Sequence, residues 1–187
     1  TLKSRINLVG ALRSLAKYDE AEKESRAVFL IEQRVLGADH PDTLLSHINV
    51  AYVLQARGMN KQAEAEYLQV LPVIQRVLGP EHPDTLNCRN NLAEAMQAQG
   101  QWKEMEGEHR SLLEARERVL GAAHPAALES CYTLALCLEN QQKLEEALSF
   151  MKRAQAGRLR ALGADHADTK SAQAGVERIE AKWKAAK

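Results

Sequence analysis

The sequence lacks a surplus of charge of either sign. Its 187 residues include 25 Lys and Arg and 25 Asp and Glu, so no overall field attracts the chain to nucleic acid or to a membrane surface. The balance is uneven along the chain, because residues 143–187 hold ten basic and six acidic side chains. We therefore expect neither a nucleic-acid nor a membrane partner, but we note a basic C-terminal region with a local excess of +4.

Cysteines and long apolar runs are also scarce. The three cysteines, Cys88, Cys131 and Cys137, are odd in number and form no CxxC pair, which argues against a disulfide framework and favours a reducing compartment. No apolar run approaches the roughly 18 residues of a membrane span, and no charged and then apolar leader opens the sequence. These features predict a folded cytoplasmic protein with small buried thiols.

The sequence motifs of common enzyme classes are missing as well. There is no GxGxxG, GxxxxGK(S/T), HExxH or GxSxG pattern. We therefore expect a protein that is not an enzyme and needs no cofactor. One stretch raises a different possibility, because LGADHPDT at 36–43 places a His close to an Asp, as in a catalytic pair or a metal site.

That stretch recurs at a fixed spacing. LGPEHPDT stands at 78–85, LGAAHPAA at 120–127 and LGADHADT at 162–169, each 42 residues after the previous copy. A period of 20 to 50 residues is typical of repeat architectures. Copies of one position stand about 10 Å or more apart in packed helices, whereas metal ligands lie within about 2.3 Å of the ion. The His residues are therefore predicted to be structural, and no metal site is expected.

Alignment of the four copies shows two helical segments in each repeat. Apolar residues of the first segment recur at i, i+1 and i+4, with a small residue where another helix can approach. The second segment is longer, with apolar positions at helical spacing over about four turns. The aligned positions of the first segment are Leu8, Val50, Leu92 and Leu134; Val9, Ala51, Ala93 and Ala135; and Leu12, Leu54, Met96 and Leu138. Those of the second are Ala21, Ala63, Met105 and Ala147; Val28, Val70, Leu112 and Ala154; Phe29, Leu71, Leu113 and Gln155; and Val35, Val77, Val119 and Ala161.

Glycine and proline mark the ends of these segments. Gly58 and Gly100 follow first segments, and Gly37 and its three equivalents follow second segments, where a left-handed residue ends a helix. Pro41 and its equivalents are predicted to hold the chain extended, and the Asp or Thr that follows is predicted to cap the next helix. The pattern therefore predicts a helix, a turn and a second helix in each repeat.

These residues resemble the tetratricopeptide repeat (TPR), a helix-turn-helix unit with a usual period of 34 residues. The period of 42, the connector RVLGADHPDT and first segments such as RNNLAEAMQAQGQWKEM resemble the repeats of kinesin light chains and their bacterial relatives. HEAT and armadillo repeats have similar periods, but the LA and EA pairs favour the tetratricopeptide repeat. The aromatic position of the second segment departs from the family pattern, because an aromatic residue is present there in one copy alone: Ser25, Tyr67, His109 and Met151.

The resemblance implies an all-α fold, a right-handed α-solenoid of four TPR-like helix-turn-helix repeats with a C-terminal capping helix. We predict a single superhelical domain over residues 1–187, without sheet. The repeats are placed near 1–42, 43–84, 85–126 and 127–168, with the capping helix at 169–187. Helix pairs are expected near 2–16 and 19–36, 43–57 and 61–78, 85–99 and 103–120, and 127–141 and 145–162, with the capping helix starting from about 168.

In tetratricopeptide proteins the concave groove is lined mainly by first helices, so the resemblance implies an interaction scaffold or adaptor that binds a peptide or a partner helix there. The Asn positions are of a kind that contacts an extended peptide backbone, because an amide both donates and accepts. The alternative is that these amides merely bond within their own groove. The predicted partner-binding residues are Asn7, Arg13, Asn49, Tyr52, Gln55, Asn90, Asn91, Glu94, Gln97 and Tyr132.

A second function is a cytoskeletal accessory protein that docks on a tubulin-like filament through its outer surface. Bacterial kinesin light chain-like proteins include one associated with bacterial tubulin filaments. Filaments of this kind tend to be acidic, which the basic C-terminal region, including Arg158 and Lys182, would complement.

Overall fold

The computed structural model describes residues 2–186, and these residues form nine helices and no strand. The prediction of an all-α fold built from helix-turn-helix repeats and ended by an additional helix is confirmed. In chain order the helices are α1 Leu2–Ser14, α2 Tyr18–Leu36, α3 Pro41–Ala56, α4 Asn60–Leu78, α5 Pro83–Gln97, α6 Trp102–Leu120, α7 Pro125–Asn140, α8 Leu144–Leu162 and α9 Ala167–Ala185.

The chain divides into two compact units, residues 1–100 with α1 to α5 and residues 101–187 with α6 to α9. In the first unit each helix packs against the next one along the chain, and α3 also contacts α5. In the second unit α7 packs against α6 and α8, and α9 packs against α8. None of the helices in residues 2–186 is both long and apolar enough to cross a membrane.

The helices that follow the connectors begin earlier than predicted. Pro41 is itself the first residue of α3, a position that tolerates proline because its missing N–H would have no partner within the helix. His40 is the N-cap, and its Nδ1 accepts a hydrogen bond of 3.2 Å from the backbone N–H of Asp42. The same bond recurs, also at 3.2 Å, at His82, His124 and His166.

Two predictions about the connector are therefore settled. The prediction that an Asp or Thr caps these helices, after an extended proline, is wrong, because the imidazole one residue before the helix supplies the acceptor. The prediction that the connector histidines are structural is confirmed. Within residues 2–186, no three His, Cys, Asp or Glu side chains are grouped as a metal ion would require.

Residues with positive φ end the helices as predicted, but the glycines after the second helices have ψ between 153° and 170°, outside the left-handed helical region. Gly37, after α2, has a φ of 96°, and its three equivalents have φ between 85° and 98°. The turn inside each repeat has a residue with positive φ as well, Gly58 at 85° and Gly100 at 76°. In the other two repeats this place is held by Ala16 at 56° and Gln142 at 62°. A Cβ is strained in this region of backbone space, so these two turns store strain that the glycine turns avoid.

Replacing Ala16 by glycine should therefore raise the free energy of unfolding by about 0.5 to 1 kcal/mol, because glycine reaches the left-handed region without a steric penalty. Urea denaturation monitored by far-ultraviolet dichroism would measure this. The control is Ala11→Gly on the exposed side of α1, where the same exchange should cost about 1 kcal/mol because the site is helical. A loss of stability in both variants would contradict the assignment of strain to Ala16.

The core of each unit follows the predicted apolar positions closely. Ala51, Ala93 and Ala135 are fully buried, as the small-residue position requires. In the second unit Ala172, Val176 and Ile179 of α9 join the core made by α7 and α8, so α9 covers the last helix pair as predicted. The free thiols of the three cysteines are buried as well, and burial raises the pKa of Cys88 to about 12.

Some of the aligned apolar residues lie outside the core. Leu8 is 45% exposed although its equivalents Val50, Leu92 and Leu134 are buried. Val35 and Val119, in the last turns of α2 and α6, are largely exposed too. In contrast, Ser25, Tyr67, His109 and Met151, the position that departs from the family pattern, are all buried. The position that lacks the usual aromatic residue in three repeats therefore lies in the protein interior.

Candidate functional site

Nine of the ten predicted partner-binding residues lie in the first unit. They are Asn7 and Arg13 on α1, Asn49, Tyr52 and Gln55 on α3, and Asn90, Asn91, Glu94 and Gln97 on α5. Tyr132 lies on α7, in the second unit. Most of these side chains are half-buried, whereas Asn7 is exposed and Asn90 is buried. In the first unit the predicted residues thus lie on three first helices, which we call the first-helix face: α1, α3 and α5.

A stacked pair joins α1 to α3 on this face. The guanidinium carbon of Arg13 lies 3.9 Å from the centroid of the Tyr52 ring, a cation–π contact. Neither side chain has a hydrogen bond or an ion pair within residues 2–186, so the Tyr52 hydroxyl and the Arg13 donors are unused by the protein. The structure brings these two predicted residues together with their polar groups available.

A second set of contacts joins α3, α4 and α5. Gln55 Nε2 donates to Glu94 Oε2 at 3.4 Å, and Asn90 Nδ2 donates to Glu94 Oε1 at 2.7 Å. Tyr67, a fully buried residue of α4, donates its hydroxyl proton to Gln55 Oε1 at 3.1 Å. Desolvation raises the pKa of Tyr67, so this phenol remains a neutral donor. Because these polar groups form hydrogen bonds with one another, they are less available for hydrogen bonds to a partner.

The sequence left two roles open for the Asn residues, contact with a peptide or hydrogen bonding within the protein, and the structure divides them between these two. Asn90 bonds Glu94 on its own helix, and the side chain of Asn91 lies beside the phenol of the buried Tyr67. Asn7 and Asn49, in contrast, make no side-chain hydrogen bond within residues 2–186. Asn90 and Asn91 are therefore structural to a large extent, and the amides that could meet a ligand are those of Asn7 and Asn49.

A cleft opens between α1, α2 and α3 beside these free amides. Its volume is about 230 Å³, and it was not predicted from the sequence. It combines apolar walls with a few polar groups, among them Ser25, whose buried hydroxyl has no hydrogen-bond partner within residues 2–186. The lining residues are Ile6, Val9, Gly10, Arg13, Ser25, Val28, Ser46 and Asn49.

In the second unit Tyr132 lies in a polar cluster. The guanidinium carbon of Arg158 lies 4.4 Å from the Tyr132 ring centroid, and this side chain also pairs with Glu129 and donates to the backbone oxygen of Asp168 at 3.2 Å. Arg158 is only 6% exposed. Its expected role as a surface cation for a filament is therefore wrong, because Tyr132, Glu129 and the Asp168 backbone oxygen enclose it and the Glu129 carboxylate neutralises its charge.

Most of the basic C-terminal region is likewise engaged within the second unit. Lys182 Nζ lies 2.7 Å from Glu139 Oε1, and Arg178 pairs with the same buried carboxylate at 2.8 Å. These bonds, the Arg178 bond foremost, hold the pKa of Glu139 below its usual value. Further pairs are Lys143 with Glu106, Lys152 with Glu180, Arg153 with Glu117, and Lys170 with Asp165. The excess of positive charge is thus largely balanced by nearby carboxylates.

Comparison with known proteins places the repeats in a family. A tetratricopeptide repeat model matches residues 1–71, 43–104 and 89–158. No curated protein sequence matches the chain. Among solved structures, a kinesin light chain-like protein of Podosopora anserina with nearly identical TPR-like repeats is 26% identical, with a TM-score of 0.82 over 95% of this chain and 84% of its own.

Two further structures share the fold at lower identity. BtubC (BKLC) from P. vanneervenii is 18% identical with a TM-score of 0.84, over 95% of this chain and 70% of its own. Bacillus thuringiensis PlcR, in complex with the peptide PapR7 and DNA, is 18% identical with a TM-score of 0.68, over 91% of this chain and 57% of its own. The family model spans most of the sequence, so the chain belongs to the tetratricopeptide repeat family, and its structural neighbours include kinesin light chain-like proteins.

Proposed function

We propose that this chain is a non-enzymatic interaction scaffold that binds an extended peptide or a partner helix on the first-helix face of residues 2–100. The observation that supports this most is the pair Asn49 and Tyr52 on α3. The two side chains are three residues apart, so they lie on one side of the helix, and both are half-buried. Their amide and hydroxyl groups make no hydrogen bond within residues 2–186.

The chemistry of this pair suits a polypeptide ligand. A side-chain amide can donate to a backbone carbonyl and accept from a backbone N–H at the same time. A tyrosine offers a large apolar ring with a polar end and loses little conformational entropy on binding. The Arg13 guanidinium already restrains the Tyr52 ring, which lowers that entropy cost further.

The partner can be captured from the proposed face itself. A photo-crosslinking residue placed at the exposed Ile6 on α1 should capture the partner in the source cell, whereas the same residue at the exposed Leu68 on α4 should not. The captured protein is then purified and titrated against the wild-type chain. We expect the double variant Asn49→Ala, Tyr52→Ala to weaken this binding about tenfold or more, as loss of a central anchor does.

A matched control separates binding from folding. The double variant Gln62→Ala, Gln69→Ala changes two exposed side chains of α4 and should bind as the wild type does. Both double variants should keep the far-ultraviolet dichroism of the wild type. Loss of the contact between Arg13 and Tyr52 costs the Asn49 and Tyr52 variant about 0.5 to 1 kcal/mol, which leaves it folded. Unchanged affinity of the Asn49 and Tyr52 variant would refute binding on this face.

Binding to a filament through the C-terminal surface would give a different result in the same titration. Arg160 and Lys184 are exposed cations of the C-terminal region that form no ion pair within residues 2–186. Reversal of both to glutamate would abolish binding to an acidic filament, and the wild-type affinity would fall with added salt. A partner that is lost with this reversal, but retained by the Asn49 and Tyr52 variant, would locate the interaction on the C-terminal surface instead.

A further inference from the structure

The cleft between α1, α2 and α3 is the counterpart of a filled space in the second repeat. There, Tyr67 is fully buried and bonds Gln55, while Cys88 and Asn91 lie close to its phenol. At the 42-residue offset these four residues correspond to Ser25, Arg13, Ser46 and Asn49. All four line the cleft.

The cleft exists because two side chains are small in the first repeat. At the position of Ser25 the later repeats carry Tyr67, His109 and Met151, all fully buried. At the position of Gly10 they carry Tyr52, Glu94 and Leu136. A Cβ added to Gly10 would meet no atom within 4 Å, so the space above this glycine is open.

The size and the lining of the cleft define what it can hold. An apolar cavity of about 150 Å³ is sufficient to bind benzene, and this cleft measures about 230 Å³ with walls from Ile6, Val9 and Val28. Ser25 is 2% exposed, and its hydroxyl has no hydrogen-bond partner in the described part of the chain, which is costly for a buried polar group. An aromatic ring with a polar end would fill the space and, after rotation of the Ser25 side chain toward the cleft, pair that hydroxyl.

We propose that this cleft binds a phenol ring, whose hydroxyl forms a hydrogen bond with Ser25 Oγ while the ring lies between Val9 and Val28. Arg13 and Asn49 are less buried than Ser25, so they are nearer to the solvent side and contact the rest of the ligand. The ring belongs to a free phenolic compound or to a tyrosine side chain of a partner. The proposal does not depend on the peptide site, because a free phenol tests it alone.

The probe is p-cresol, which is the side chain of tyrosine, and the matched probe without the hydroxyl is toluene. Titration of the full chain, followed by protein NMR, should give a Kd of about 1 mM or below for p-cresol. Toluene should bind at least about fivefold more weakly, because it leaves the Ser25 hydroxyl unpaired. Ser25→Ala should remove this preference, since the buried hydroxyl is then absent.

A blocking variant at the entrance shows whether the shifts come from this cleft. Gly10→Leu should reduce p-cresol binding at least about tenfold, because its side chain covers the opening. Gly107→Leu is the matched control on α6, where an added Cβ also meets nothing within 4 Å, and it should bind p-cresol normally. Undetectable binding by the wild type, equal binding by Gly10→Leu, or no preference over toluene would each overturn the proposal.

Competition distinguishes the two sources of the ring. A capped tripeptide with tyrosine between two glycines should displace p-cresol if the entrance admits a polypeptide backbone. Failure of this peptide to compete, while p-cresol still binds, assigns the cleft to free phenolic compounds.

Discussion

Replacement of Ala135 by leucine is expected to lower the free energy of unfolding by about 1 to 3 kcal/mol, because a filled core accepts extra methyl groups only by shifting its neighbours. Ala135 is fully buried in the second unit and belongs to the same core cluster as Leu134, Ala147 and Met151. Its equivalents Ala51 and Ala93 are buried to the same degree. The small side chain at this position therefore sets how closely the helices approach.

Urea denaturation of the full chain would measure the effect, with Ala156→Leu as the control. Ala156 is an exposed residue of α8 in the same unit, so the same enlargement there meets solvent and should change stability by less than about 0.5 kcal/mol. Equal stability of the two variants would show that the small-residue position does not limit packing.

The repeat explains why so much of the fold was predictable. Four copies of one pattern average out local exceptions, so the second helices were placed to within one residue at each end. The starts of the helices after the connectors were missed for a chemical reason. Imidazole is an unusual cap, and the more common Asp and Thr caps were available two and three residues later.

The candidate site was less predictable, because its contacts depend on how separate helices turn toward each other. The sequence placed Gln55 and Asn91 on the first-helix face, but it could not show that Gln55 bonds Tyr67 of α4 and that Asn91 lies beside the same phenol. Nor could it show that Arg158 is enclosed by Glu129 and Tyr132 from α7. The sequence does contain a sign of the cleft, because Ser25 is small whereas the other repeats have large residues at this position. From the sequence alone, this difference is interpreted only as a departure from the family pattern.

His109 occupies that same position in the third repeat, and it is the basis of the last prediction. The side chain is fully buried on α6, and neither ring nitrogen has a hydrogen-bond partner within residues 2–186. The pKa of His109 is lowered to about 4, chiefly by desolvation; Glu108 opposes this shift and Arg116 adds to it. The folded protein therefore holds this imidazole neutral at pH values where the unfolded chain, with a pKa of about 6.5, is protonated.

Acidification from pH 7 to pH 5 should therefore destabilise the protein by about 2 kcal/mol through His109 alone. The unfolded state binds the proton in this range and the folded state does not, so the stability present above pH 6.5 is lost as the pH falls toward 4. Carboxylates with lowered pKa values, such as Glu106 at about 2, lose their contribution mainly below pH 4.5 and so outside this range.

His109→Met tests the prediction, because the fourth repeat carries Met151 at the same buried position. Urea denaturation of both proteins at pH 7 and pH 5 gives the loss of stability in each, and all shared ionisable groups cancel in the difference. The variant should be the more stable protein at pH 5, and its stability should change less between the two pH values, by about 2 kcal/mol. Equal losses in the two proteins would mean that His109 can be protonated without unfolding, and that its imidazole is not held neutral in the core.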